Sequence, residues 1–177
     1  MPRSDGRPTS LPAPASEAAR GADWFDALFR AHAPAVHRYL HRRGAGDDTD
    51  DLTADVLVVA WRRRATVPEG LELAWLYRTA GFVLANHRRK ARPVPVDELP
   101  DQPDPADPAL LAIRDEQVRE TVGRLGARDR QVLLLAAWEG MGGAELAAVL
   151  GVSRGGADAA LSRARARLRA TWDDAPV

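Results

Sequence analysis

The sequence predicts an all-α protein made of two small helical domains joined by an acidic, proline-rich linker. Three observations carry this. Outside two proline-rich segments, apolar residues recur at three- and four-residue steps, and no stretch alternates with the period of two that a half-buried strand requires. Residues 93–108 hold six prolines, the five acids Asp97, Glu98, Asp101, Asp104 and Asp107, and no base. Such a segment cannot bury a core and reads as an extended, self-repelling linker. Beyond it, two short apolar-periodic segments meet at Gly151 with the spacing of a helix-turn-helix, so the C-terminal domain is of that type. A chain of 177 residues has the length for one ordinary domain or two small ones.

The elements follow in order. Residues 1–22 include Pro2, Pro8, Pro12 and Pro14 and no apolar block, so they are expected to form a disordered N-terminal tail rather than a signal peptide. Asp23 is placed to cap a first helix whose apolar positions are Phe25, Leu28, Phe29, Val36, Tyr39 and Leu40, with Pro34 breaking or kinking it and Gly44 and Gly46 ending it. The second helix, about 49–64, is expected to bury Leu52, Val56, Val59 and Ala60. It carries Asp51 and Asp55 one turn apart on another face. Pro68 and Gly70 turn the chain into a third helix, about 71–91, with Leu73, Leu76, Tyr77, Ala80, Val83, Leu84 and His87 inward and Pro93 beyond its end.

After the linker, one helix over 109–125 is expected to turn Leu111, Val118, Val122 and Leu125 inward, and another over 129–138 is built on Val132, Leu133 and Leu135. The helix-turn-helix then consists of a short helix with Leu146, Ala147 and Leu150, a turn at Gly151, and a second helix capped by Ser153 and anchored by Ala157 and Leu161. Ala147 lets the helices approach, and Gly151 permits positive φ in the turn. A generic helical hairpin is the alternative.

Composition closes several classes. No cysteine is present, which excludes disulfides and thiolate metal sites and favours an intracellular setting. The longest charge-free apolar run, Val132 to Trp138, is too short to span a bilayer. Formal net charge is zero, but it is unevenly spread: residues 24–92 hold 12 bases against 8 acids, and Arg163, Arg165, Arg167 and Arg169 lie in a stretch free of acids. These four alternate, so on a helix they spread over more than one face and can grip phosphates.

The third helix carries a stripe of Arg78, Phe82, Asn86 and Lys90 in steps of four, with Arg89 alongside. Water gains nothing from an exposed Phe among cations, whereas an unstacked base would. In the bland alternative Phe82 packs on a neighbouring helix and the cations complement the helix dipole.

At this point the sequence resembles the extracytoplasmic-function class of bacterial RNA polymerase sigma factors, from about Phe25 to Leu168. The resemblance rests on Phe25-Asp-Ala-Leu-Phe-Arg, on Asp48-Thr-Asp-Asp-Leu-Thr-Ala-Asp-Val with Ala60-Trp61-Arg62, and on Trp75-Leu-Tyr-Arg-Thr-Ala followed by Leu84-Ala-Asn-His-Arg-Arg. Leu125 to Leu135 and Glu145-Leu-Ala through Ala164-Arg165 extend it into the C-terminal half. It implies that residues 23–92 form an N-terminal domain for core polymerase binding and −10 recognition, and that residues 109–172 form a helix-turn-helix domain for −35 recognition. Asp50, Asp51, Asp55 and Arg62 would contact the polymerase. Arg78, Phe82, Asn86, Arg89 and Lys90 would melt and read the −10 element, and Arg154, Asp158, Ser162, Arg163 and Arg165 the −35 element.

The partners implied are core RNA polymerase and promoter DNA, with an anti-sigma factor a further candidate. No catalytic residue, cofactor, metal, small-molecule substrate or membrane insertion is implied, and the expected location is cytoplasmic. The chain departs from the family at Phe82, commonly Asn, and at Asp158, Ala159 and Ala160, commonly more polar or basic. An acid at Asp158 is unfavourable beside phosphates but can accept from a cytosine amino group.

Two rival classes fit parts of the sequence. A helix-turn-helix regulator that does not bind polymerase explains 109–170 equally well but leaves the acidic second helix unexplained. A metal-dependent enzyme built on Asp47, Asp48, Asp50, Asp51 and Asp55 lacks the Gly and terminal Glu of a calcium loop, and His37 with His41 lacks a third ligand.

Overall fold

The computed structural model describes residues 20–91 and 108–174. The expectations for the linker and for most of the N-terminal tail thus lie outside the described residues. Those residues form helices joined by turns, without a strand among them: α1 (Ala22–Arg42), α2 (Thr49–Arg62), α3 (Glu72–Ala91), α4 (Pro108–Leu111), α5 (Glu116–Gly123), α6 (Ala127–Trp138), α7 (Gly143–Leu150) and α8 (Arg154–Asp173).

In the N-terminal half α1, α2 and α3 pack on one another. Gly21 rather than Asp23 occupies the N-cap of α1, and Asp23 lies in its first turn. Arg20, expected in the tail, is buried and donates to the carbonyls of Arg64 and Val67. Pro34 deletes one helix hydrogen bond, yet α1 runs unbroken through it because Val36, Tyr39 and Leu40 beyond it are buried. The helix stops where Gly44, at φ 78°, reverses the chain and the Ala45 amide bonds back to Leu40. On α2, Leu52, Val56, Leu57 and Ala60 are buried, and Val59 is half-buried. On α3, Leu76, Tyr77, Ala80 and Leu84 are buried, while Leu73 and Val83 are partly so. His87 faces the polar edge, 3.1 Å from Asp48.

The single helix expected over 109–125 is two helices. Asp115 interrupts it by accepting the Val118 amide at 3.0 Å, an N-cap that starts α5 afresh. Leu111, expected inward, is 70% exposed as a result, while Val122 and Leu125 are buried. Arg130 is buried at the next turn, donating to the carbonyls of Gly123 and Leu125. In the helix-turn-helix, Gly151 adopts φ 67° and Ser153 caps α8 by accepting the Gly156 amide at 3.1 Å. Leu146, Ala147, Ala157, Ala160 and Ala164 close the packing of α7 on α8.

A linker of the expected kind would keep the halves apart. Instead α3 packs against α7, and one apolar cluster joins Val36, Leu40, Leu76 and Tyr77 to Val132, Leu135, Leu146 and Val149. Burial of each large side chain contributes about 1.5–3 kcal/mol. That gain is what draws the second half onto the first.

Candidate nucleic-acid interface

Three surfaces collect the residues singled out from the sequence. Each of those residues is exposed.

The first surface lies on α2. Steps of four, three and four place Asp51, Asp55, Val58 and Arg62 on one face. Asp50 beside them is 3.1 Å from His37, and neither Asp51 nor Asp55 forms an ion pair among the described residues. Val58, Trp61 and Phe29 are exposed apolar groups, and Phe25 meets the Trp61 ring edge-on at 5.4 Å. This corrects the reading of Phe29 as a core residue. The surface is apolar with an acidic border, a combination suited to a protein partner. Trp61 and Val58 were missed as site residues, although Val58 follows Asp55 at a step of three and Trp61 follows Val58 at another.

The second surface is the outer face of α3. Phe82 is 66% exposed, so it does not pack on a neighbouring helix. The Arg78 guanidinium lies over its ring at 5.9 Å, and Arg89 donates to Asn86 Oδ1 at 2.5 Å. Lys90 extends the stripe at the helix end. Between α2 and α3 a cleft of about 450 Å³ has Val59, Thr79 and Val83 along it, with Arg63, Phe82, Asn86 and Arg89 among its lining groups. Arg63 had not been singled out. It follows Arg62 by the roughly 100° of one helix step, which aims it at α3 rather than along the acidic face. The arrangement offers cations for phosphates, an amide for a base edge and a ring for stacking.

The third surface belongs to α8. Arg154, Asp158, Ser162 and Arg165 share one face at steps of four, four and three, with Arg163 beside them. Arg154 Nε is 4.0 Å from Asp158 Oδ2, and its guanidinium lies over Gly143 at the start of α7. Asp158 therefore stands opposite a cation on its own helix. Arg167 pairs with Asp129 on α6.

Comparison with known proteins finds two family regions in the chain, one in each half. A family model described as Sigma-70 region 2 matches residues 28–94, and one described as Sigma-70, region 4 matches residues 115–168. The chain is 32% identical over 164 residues to the ECF RNA polymerase sigma factor ShbA of Streptomyces griseus subsp. griseus, covering 82% of this chain and 85% of that protein. It is 29% identical over 144 residues to the ECF RNA polymerase sigma factor BldN of Streptomyces coelicolor, covering 76% of this chain but only 54% of BldN. The solved structure of CnrH in complex with the cytosolic domain of CnrY is similar at a TM-score of 0.58 and 29% identity, over 90% of this chain and 94% of that one.

Proposed function

The chain belongs to the extracytoplasmic-function class of RNA polymerase sigma factors, and from that membership we propose that it binds core RNA polymerase and directs promoter-specific initiation of transcription. The role is that of a transcription regulator, not an enzyme. Phosphoryl transfer belongs to the polymerase, and the chain works in the cytoplasm where that enzyme is. No helix among the described residues is long and apolar enough to cross a membrane.

Residues 23–92 dock on the polymerase and read the −10 element, residues 109–172 read the −35 element, and residues 93–108 join them. Asp50, Asp51, Asp55 and Arg62 supply the polar contacts to the polymerase, around the apolar centre of Val58 and Trp61. Arg78, Arg89 and Lys90 hold phosphates while Phe82 and Asn86 receive an unpaired base. Arg154, Asp158, Ser162, Arg163 and Arg165 enter the major groove from α8. The observation that carries the reading is the presence, on one chain, of an acid-bordered apolar face beside an exposed cationic and aromatic stripe, followed by a capped helix-turn-helix. CnrH is solved with the cytosolic domain of a partner, and an anti-sigma factor is a further partner proposed for this chain.

The test is reconstitution with purified core polymerase, followed by sequencing of the DNA fragments that the complex retains. Co-elution with core and enrichment of fragments sharing two separated elements are expected. Retention of DNA by the chain without any association with core would instead leave a helix-turn-helix regulator.

A further inference from the structure

The connection between α2 and α3 is held by a residue that precedes α1. Arg20 is only 5% exposed although it carries a charge, and its guanidinium lies over the Trp24 ring at 5.1 Å. Its hydrogen-bond partners are backbone carbonyls rather than a carboxylate: Nη1 donates to the carbonyl of Arg64 at 2.6 Å and to that of Val67. These two residues begin and end one tight turn, a 3-10 turn over Arg64–Thr66 that Val67 closes. Nη1 has two N–H groups, one for each end of that turn. A cation taken out of water needs acceptors in fixed places, and the turn supplies them.

The turn begins directly after Arg63, the C-cap of α2, whose carbonyl accepts from the Thr66 amide at 2.8 Å and the Thr66 hydroxyl at 2.9 Å. The Arg63 side chain lines the cleft between α2 and α3 together with Phe82, Asn86 and Arg89. Val67 is fully buried, so the far end of the turn is fixed to the core, while the near end sets the direction of Arg63. Arg20 ties the two ends together. Without it the turn keeps its own bonds to Thr66 and a long one from the Val67 amide to the Arg64 carbonyl at 3.4 Å, and a 3-10 turn makes poorer hydrogen bonds than an α-helix does.

From these contacts we propose that Arg20 is a positioning residue for promoter opening: by clamping residues 64–67 it presets the Arg63 guanidinium in the cleft, where Arg63 holds a phosphate of the opened strand. The proposal rests on the sigma-factor reading above, which assigns Phe82, Asn86 and Arg89 of the same cleft to the −10 element, and it adds Arg63 and Arg20 to them. Arg20 is buried and adds no phosphate contact of its own. Its effect is pre-organisation, since a long side chain loses rotamer freedom when it grips a ligand, and a fixed backbone at its base lowers that cost. Docking on the polymerase uses another face. Asp51, Asp55 and Arg62 point away from the cleft, and Trp61, which Arg64 covers at 4.6 Å, is also braced by Phe25 of α1.

The experiment compares full-length Arg20→Ala, Arg63→Ala and the double variant as holoenzyme on a cognate promoter, measuring core affinity alongside permanganate reactivity of the opened strand. Each single variant is expected to lower opening about tenfold, the loss of one charge-assisted contact, while core affinity stays near that of wild type. The double variant should open no worse than Arg63→Ala alone, because Arg20 acts through Arg63. Arg20→Lys, which keeps a charged donor, should recover part of the opening. Wild-type opening in Arg20→Ala, losses that add in the double variant, or an equal fall in core affinity would make Arg20 a purely structural residue and overturn the proposal. Circular dichroism identifies a variant that has simply unfolded, and if Arg20→Ala does so, Arg20→Lys with and without Arg63→Ala carries the same comparison. If the wild-type chain forms no holoenzyme, the sigma-factor reading fails by itself. Amide exchange at Thr66 in the free protein then decides whether Arg20 holds the turn: faster exchange in Arg20→Ala is expected, and unchanged exchange would overturn the clamp.

Discussion

Phe82 and Asn86 carry no charge, whereas Arg163 and Arg165 do, and this difference separates reading from gripping. Phe82→Ala and Asn86→Ala are expected to leave non-specific DNA binding nearly unchanged and to impair promoter opening, since stacking contributes about 1–3 kcal/mol per base. Permanganate footprinting of holoenzyme on a cognate promoter checks this, and wild-type opening would reduce the stripe to a structural feature. Arg163→Ala and Arg165→Ala should weaken binding to all sequences and lower the salt slope by up to about one unit per phosphate contact, read from a salt titration. The tyrosines give a pH prediction. Burial raises Tyr39 above its ordinary 10.0 and is also the main cause at Tyr77, where Glu139 adds to the shift. Because the neutral phenol is the form that folding favours, its contribution is intact below pH 10 and is lost as pH climbs through the raised values, so stability should fall from about pH 10 upward. These are the only two tyrosines. Tyrosinate absorbance should therefore appear together with the loss of the circular dichroism signal, and ionisation near pH 10 in a still-folded chain would contradict the burial. Phe29 shows how residue-level reading fails: an apolar residue in helical register is ordinarily core, and only the packing of α2 on α1 decides which register faces out.

At the scale of elements, α2 offers the cleanest experiment. Asp51→Lys with Asp55→Lys should weaken holoenzyme assembly about tenfold or more while leaving helix content unchanged, because both residues are exposed and make no contact that folding needs. Wild-type affinity for core in the double variant would sink the docking assignment. The helices α1, α2, α3, α7 and α8 were legible because each has its own signals: apolar steps of three and four, Gly44 and Gly151 at positive φ, and Ser153 as a cap. The break between α4 and α5 was not. Leu111, Val118, Val122 and Leu125 keep a plausible helical spacing, and that pattern outweighed the capping power of Asp115, which needs only one amide to end a helix and begin another.

For the whole molecule, the shared core predicts that the halves are not independent. Expressed separately, residues 20–92 and 109–172 should each melt below the full chain, by about 4–8 °C for each kcal/mol of interface lost. Equal melting temperatures would mean that the packing of α3 on α7 contributes nothing to stability. The sequence by itself determined the helical class, the helix-turn-helix with its Gly151 turn and Ser153 cap, and the family, because these depend on local spacing and on motifs contiguous in the chain. It also determined which charged residues stand on the outer faces of α2, α3 and α8, since register alone places them there. Only the tertiary structure decided that the second half packs on the first, that Glu139 lies between Arg42 and Arg43, and that Arg78 rests on Gly151. Those contacts join residues far apart in the chain, 97 positions for Arg42 and Glu139, and no periodicity within either segment carries information about a partner that the chain meets only after folding.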